Sequence, residues 1–194
     1  MKRQVKLNDS RTAKIHNIVD MSLGFSSMIR LFEEGSKGKL RDMILNELPK
    51  ILGTKSKDQY MELHSNFCRW GTKNIVLVKK TKGGEIVKPR RPASYGQIAK
   101  TIDVVMNVVV YYCHLPNSNR SAQISKWLNA ALDTKMMGYI KPSGAVGWPS
   151  SIEQVDETIY ETLQEVVASV IETKHDGNIS HVEFDDVYWE GLNR

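Results

Sequence analysis

A segment that is apolar on nearly every side constrains this sequence most strongly. Its main stripe has helical spacing, and valines fill the faces between: Ile98, Ile102, Val105, Val109 and Tyr112, with Val104, Val108 and Val110. A helix that is apolar all round is normally buried at the centre of a fold. Ser94 with Gln97 three residues later matches a capping box and predicts where this helix begins. The β-branched residues leave a strand over residues 104–112 as an alternative.

Amphipathic patterns predict further helices around this central one. The clearest lies at about residues 151–173, where an apolar face is opposed by an acidic face that contains Glu157, Glu161 and Glu165. Between residues 74 and 91 the pattern becomes rich in β-branched residues, with Gly83-Gly84 as a turn signal, which indicates a hairpin. The sequence therefore predicts a mostly α-helical, bundle-like single domain over residues 1–194, with one small β-hairpin.

The charge is divided unevenly along the chain. Residues 1–100 carry 21 Lys and Arg against 9 Asp and Glu, whereas residues 101–194 carry 6 against 13, so net charges of +12 and −7 give the overall +5. A basic half of this kind favours a polyanionic partner such as nucleic acid. The two halves could instead neutralise each other, either inside the fold or between the copies of a homo-oligomer.

The predicted hairpin is the most basic segment. Its cationic side chains are opposed by one acid, Glu85, and the candidate phosphate contacts are Lys79, Lys80, Lys82, Lys88, Arg90 and Arg91. A β-ribbon can lie in the major groove or along the phosphates, where neutralised charges release counterions. The leading hypothesis is thus a nonenzymatic protein that binds DNA or RNA with little base discrimination. A solvated hairpin whose lysines protect an edge strand is the alternative.

The few polar residues of the central helix share one stripe. They are spaced three or four positions apart, which keeps them on one helix face: Gln97, Lys100, Asp103, Asn107, Tyr111 and His114. Lys100 and Asp103 are placed to form an i,i+3 ion pair. Such a stripe faces solvent, a polar partner helix, or a cleft that holds a small ligand or an enzyme site, and the solvent-facing edge is the simplest of these interpretations.

The start of this helix also carries a resemblance. Tyr95-Gly96-Gln97 with Lys100, in a helix that carries Asp103, resembles a segment of uncharacterised microbial helical proteins. The resemblance covers some twenty residues and implies no activity. It adds Tyr95 to the candidate cleft.

Metal and cofactor motifs are weak throughout. His64 and Cys68 share a helix face, but no paired cysteine motif accompanies them, and both cysteines suit core positions. His181, Glu183 and Asp185 alternate as strand neighbours would and could bind a hard cation, but an exposed polar face is the preferred interpretation. We expect no cofactor, no metal and no membrane segment, and the two cysteines suit a reducing cytoplasm.

Overall fold

The helix predicted to be central lies at the centre of the fold. A computed structural model describes residues 7–80 and 86–192, but not the side chains of residues 7–9, Lys79, Lys80, Lys88 and Leu192. In chain order the elements are α1 (Leu7–Phe25), α2 (Ser36–Gly53), α3 (Lys57–Asn74), β1 (Val76–Lys80), β2 (Ile86–Pro92), α4 (Tyr95–Met106), α5 (Ser118–Ser125), α6 (Thr134–Ile140), α7 (Glu157–His175) and α8 (His181–Leu192). Short 3-10 turns span Ser27–Leu31 and Ile152–Gln154. The predicted mostly α-helical fold with one small hairpin is confirmed.

The start of α4 is fixed by the predicted capping box. Ser94 Oγ accepts the Gln97 backbone N–H at 3.3 Å, and Gln97 Oε1 accepts the Ser94 N–H at 3.0 Å. The Gly96 N–H donates to the Val155 carbonyl at 2.9 Å, and a Cβ at Gly96 would lie only 2.6 Å from Val155 Cβ. Glycine therefore allows the segment before α7 to pack directly on the first turn of α4.

The body of α4 is buried on several sides. Ile98, Ala99, Ile102 and Val105 have at most 1% exposure, and the helix packs against α1, α3 and α7. Burial of its continuous apolar surface explains why a sequence with so many β-branched residues remains helical here.

The chain continues from α4 as a π-helix over Asn107–Tyr112, so the alternative of a strand at residues 104–112 is wrong. The Cys113 N–H donates to the Val108 carbonyl at 2.9 Å, five residues back instead of four. One extra residue per turn rotates the following side chains relative to those of α4. Such π-helical turns are rare and often occur at functional sites.

The hairpin consists of β1 and β2, paired antiparallel from Val76 with Pro92 to Lys80 with Ile86. Its base is tied to the helical body, because the Ala93 N–H donates to the Ile75 carbonyl at 3.0 Å. Lys82 and the predicted turn lie in residues 81–85, outside the described residues.

The acidic helix begins later than predicted. Residues 152–154 form a separate 3-10 turn, and α7 begins at Glu157 because the Asp156 side chain accepts the Ile159 N–H at 2.8 Å. The helix then extends to His175, two residues beyond the predicted end. Among the described helices, none combines the length and apolar character that crossing a bilayer requires.

Candidate functional site

The polar stripe of the central helix is divided among three environments. Gln97 is buried in the capping box, and Asp103 lies in the core. Lys100 and Asn107 line a large cleft, whereas Tyr111 and His114 line a separate depression of about 310 Å³ beside α5. The stripe is therefore neither a simple solvent edge nor a single cleft, because the π-helix turns its later residues towards another surface.

Asp103 forms a buried cluster with two aromatic side chains. Its Oδ1 lies 2.9 Å from His64 Nε2, and its Oδ2 accepts the Tyr160 hydroxyl at 2.7 Å. The predicted Lys100–Asp103 pair is wrong, because Asp103 points into the core while Lys100 Nζ lies 3.5 Å from Asp133 Oδ2. Burial raises the pKa of Asp103, although His64 and the Tyr160 hydroxyl oppose that effect.

Cys68 and Tyr95 also belong to this buried cluster. Cys68 Sγ lies 3.8 Å from His64 Nδ1, and the Tyr95 hydroxyl lies 3.1 Å from Ser65 Oγ. Burial lowers the pKa of His64, but the neighbouring Cys68 and Asp103 outweigh it and raise that pKa well above 6.5. His64 and Cys68 are at most 2% exposed, and burial raises the pKa of the Cys68 thiol. The cluster is thus part of the core, and Tyr95 and Asp103, which were predicted to line a cleft, do not line the large cleft.

The large cleft, here called the α8 cleft, has a volume of about 610 Å³. It lies between the end of α1, the central helix with its π-helical extension, the segment before α6, and α8. Its polar lining includes Ser27, Lys100, Asn107, Asp133, Asp185 and Asp186, and its apolar and aromatic lining includes Met21, Phe25, Val104, Val108, Tyr112 and Trp189. A concave site with a few convergent polar groups among apolar side chains is typical of small-molecule binding.

Asn107 and Asp185 form the polar floor of the α8 cleft. Asp185 Oδ2 accepts two N–H groups, from Asn107 Nδ2 and from the Ala131 backbone, each at 2.9 Å. The other oxygen of each side chain, Asn107 Oδ1 and Asp185 Oδ1, is buried and has no hydrogen-bond partner in the described part of the chain. A buried oxygen without a donor costs about 1–3 kcal/mol, so these two atoms require an explanation.

Burial raises the pKa of Asp185 to about 8, although the Ala131 N–H and the Asn107 amide favour the charged form. The negative charges of Asp103 and Asp186 raise that pKa further. A carboxyl group in a cleft that titrates near neutral pH is a candidate for ligand binding or proton transfer.

The remaining charged groups of the cleft are already paired. Asp133 contacts Lys100 and also caps α6 by accepting the backbone N–H groups of Lys135 and Met136, each at 2.9 Å. Asp186 accepts a hydrogen bond from the Tyr112 hydroxyl. Asp185 therefore differs from its two acidic neighbours, because neither an ammonium nor a hydroxyl group reaches it among the described residues.

The rim of the cleft is apolar and exposed. Met21, Phe25, Tyr112 and Trp189 are 43–64% exposed, and they come from three different segments of the chain. Large apolar side chains that meet around an opening mark a binding site more clearly than scattered ones do.

The basic residues of the hairpin do not all remain free. Arg90 pairs with Glu33 at 2.6 Å, and Arg91 pairs with Glu153 at 2.8 Å. The side chains of Lys79, Lys80 and Lys88 are not described, and Lys82 lies outside the described residues. Two of the six candidate phosphate contacts, Arg90 and Arg91, therefore already form ion pairs with acidic residues of the same chain.

Sequence reasoning missed Asp133 and Asp186 as cleft residues and interpreted Asp185 incorrectly. Asp185 belongs to a helix and not to a strand, so its side chain does not share one face with those of His181 and Glu183. His181 instead contacts Gln164, and Glu183 accepts the Ser180 backbone N–H. Across the described ranges, no three His, Cys, Asp or Glu side chains are grouped so as to hold a metal ion. The sequence signal that could have revealed these cleft residues is the pair of adjacent acids, Asp185-Asp186, in a helix with an apolar face.

Comparisons of the chain with protein-family models, with curated proteins and with solved structures gave no significant match.

Proposed function

We propose that this protein binds a small organic molecule in the α8 cleft. The observation that carries the proposal is the cleft itself, a concavity of about 610 Å³ in which exposed apolar side chains surround a few polar groups. Two of these polar groups, Asn107 and Asp185, come from different helices and are joined by a hydrogen bond of 2.9 Å. A concave, mostly apolar site with a few convergent polar groups is the usual form of a small-molecule site.

The dimensions and the lining of the cleft support this function. A volume of about 610 Å³ falls within the usual range of roughly 300–1,000 Å³ for small-molecule sites. The apolar rim would cover the body of the ligand, while Asn107 and Asp185 would orient its polar end. The π-helix that begins at Asn107 supports the assignment as well, because π-helical turns are rare and are frequently found at functional sites.

A fragment screen by ligand-observed NMR tests the proposal. Ala131 lines the cleft and is partly exposed, so Ala131→Trp should fill the cleft without removing existing core packing. The matched control is Val146→Trp, because Val146 is 99% exposed and does not line the cleft. We expect fragments that bind the unmodified protein and Val146→Trp but not Ala131→Trp. A screen in which no fragment distinguishes the two variants contradicts the proposal.

Nucleic-acid binding through the hairpin remains a second candidate. One observation favours it: the side chain of Arg90 is 65% exposed even while it pairs with Glu33, so phosphate could compete for it. The pairing of Arg91 with Glu153 argues against it, because Arg91 is only 29% exposed. The cleft is therefore preferred as the functional site.

The remaining alternative, a homo-oligomer that pairs the acidic and basic halves, is less well supported. Arg69 of the basic half pairs with Glu157 of α7 at 2.8 Å within one chain. Together with the Arg91–Glu153 pair, this contact neutralises, inside the fold, part of the charge difference between the two halves of the chain. Glu161 and Glu165 remain exposed on α7 and are the residues through which such an assembly would form.

A further inference from the structure

We propose that the protein has a second binding site, a groove between α1 and α2 that binds a carboxylic acid with an unbranched apolar tail. The groove, here called the α1–α2 groove, has a volume of about 510 Å³. It shares no described lining residue with the α8 cleft, so the inference does not depend on the proposed function. It follows from the accessible apolar floor of the groove, from the charge of its lining and from its length.

The floor of the groove is apolar and accessible. Side chains of α1, of the second half of α2 and of the segment before α5 form it: Ile15, Leu45, Leu48, Pro49, Leu52 and Pro116. Ile15, Leu45 and Leu52 are only partly buried against the core, and Pro49 is exposed. An apolar tail that covers these side chains would remove their remaining surface from water, which favours binding.

The polar lining of the groove is basic. Arg11 and His16 line it from α1, and none of the described lining residues carries a carboxylate. The acids of α1 and α2 whose side chains the structure describes pair with Arg41 or Lys50 instead. The Arg11 side chain is exposed, and within the described part of the chain no carboxylate pairs with it. A guanidinium is always charged and can donate two parallel N–H groups to one carboxylate, so the lining is complementary to an anion.

The two helices give the groove a direction. They are antiparallel, because Arg41 near the start of α2 pairs with Asp20 near the end of α1. Arg11 therefore lies at the end of the groove that contains Gly53, and Leu45 lies at the other end. Residues 45–53 of a helix rise about 12 Å, which an extended chain of about eight to ten carbons spans with C–C bonds of ~1.5 Å. The carboxylate would bind at Arg11 and the tail would extend towards Leu45.

A second guanidinium lies at the Arg11 end of the groove. Arg120 of α5 donates through Nε to the carbonyl of Leu52, a lining residue, at 3.4 Å. Its Nη1 donates to the neutral side chain of Gln123, and no described carboxylate pairs with it. The last carbonyl groups of a helix carry partial negative charge, and Arg120 offsets that charge at the end of α2. The positive charge of this end thus comes from two different helices.

A series of short acids with a neutral analogue provides the test. The probes are hexanoate, heptanoate and octanoate, with 1-octanol as the neutral analogue, and isothermal titration calorimetry measures their affinities. We expect affinity to rise up to about fourfold with each added methylene group, because each one buries more apolar surface. Octanoate should bind at least about threefold more tightly than 1-octanol. Two-dimensional ¹H–¹⁵N spectra should show octanoate-dependent shifts concentrated at residues 11–16 and 45–53.

Removal of one charge isolates the role of Arg11. Arg11→Gln should reduce octanoate affinity at least about threefold and leave 1-octanol affinity within about twofold, because only the acid uses the guanidinium. The matched control is Arg30→Gln, since Arg30 is also exposed but does not line the groove. This control should bind both probes as the unmodified protein does.

A pair of glycines in α2 tests the location of the tail. Gly53 lines the groove and Gly38 does not, and a Cβ added at either position would meet nothing within 4 Å. Gly53→Phe should therefore place a ring at the Arg11 end of the groove and weaken octanoate and 1-octanol alike. Gly38→Phe adds the same ring elsewhere on the helix and should leave both affinities unchanged.

The outcomes separate this inference from the proposed function. Equal affinities for octanoate and 1-octanol, or an Arg11→Gln variant that binds octanoate normally, overturn the inference. Ala131→Trp, which fills the α8 cleft, should bind octanoate as the unmodified protein does. Loss of octanoate binding in Ala131→Trp, or shifts confined to the α8 cleft, would overturn the α1–α2 groove as the site and leave the proposed function standing.

Discussion

Asn107 Nδ2 donates to Asp185 Oδ2 at 2.9 Å, joining the first residue of the π-helix to α8 across 78 positions of the chain. This contact fixes one oxygen of each side chain and leaves the other oxygen without a donor among the described residues. The floor of the α8 cleft thus consists of two side chains from different helices, which meet only because α8 packs against the π-helix.

The first prediction concerns stability and pH. The folded pKa of Asp185, about 8, lies well above the 3.8 of an exposed aspartate, so the folded state binds a proton that the unfolded state has already lost. From about pH 4 to pH 8 the contribution of Asp185 to stability should therefore fall, by up to about 1.4 kcal/mol per pH unit. Urea denaturation across this range measures it. Asp185→Asn should show a clearly smaller decline, and identical pH profiles for the two proteins would refute the assignment.

A second prediction addresses the buried His64 cluster. Asp103→Ala removes the carboxylate that contacts His64 and Tyr160, which leaves the imidazole without its partner in the core. The free energy of unfolding should fall by about 3–5 kcal/mol, as expected when one member of a buried pair is removed. Glu165→Ala, on the exposed face of α7, should change it by less than about 0.5 kcal/mol. Equal effects of the two substitutions in chemical denaturation would show that the cluster contributes little.

Gly96 provides a third prediction. Its alanine Cβ would lie 2.6 Å from Val155 Cβ and 2.8 Å from the Ile152 carbonyl oxygen, so the segment before α7 must move. Gly96→Ala should lower the free energy of unfolding by about 1–3 kcal/mol. Gly38→Ala is the matched control within α2, where nothing lies within 4 Å, and it should instead stabilise by about 0.5–1 kcal/mol. Thermal unfolding that moves in the same direction for both variants would contradict the packing described here.

The nucleic-acid hypothesis gives a fourth prediction. If the hairpin binds phosphates, affinity for a generic duplex should fall steeply with salt. Replacing Lys79, Lys80, Arg90 and Arg91 with alanine should reduce the slope of log affinity against log salt by roughly one per lost contact. Fluorescence anisotropy measures both quantities. Absence of binding to DNA and RNA at ~50 mM salt, where such contacts are strongest, would remove this candidate.

Local sequence signals predicted the elements that depend on neighbouring residues. The capping residues Ser94 and Gln97 marked the start of the central helix, and the basic β-rich segment marked the hairpin. Continuous apolar character correctly placed Ile98 and Ile102 in the core. The capping box and the hairpin depend on residues that are close in sequence. The core positions depend only on whether a residue is apolar enough to be buried.

The candidate site depended on contacts that no local pattern encodes. Spacing predicted that Lys100 would pair with Asp103, but His64 on α3 competes for that carboxylate and Asp133 contacts the lysine. The change to π-helical hydrogen bonding at Asn107 also lacks a sequence signal, because it depends on how the following residues pack. The contact of Asp185 with Asn107 likewise depends on how α8 packs against the π-helix, which no local pattern shows.

A crystal structure of the protein with a fragment that binds it in solution tests the central claim most directly. We predict the fragment inside the α8 cleft, with its apolar body beside Trp189 and Phe25 and its polar group towards Asn107 and Asp185. An empty α8 cleft at a fragment concentration that saturates binding in solution, or a fragment bound elsewhere on the protein, would contradict the claim.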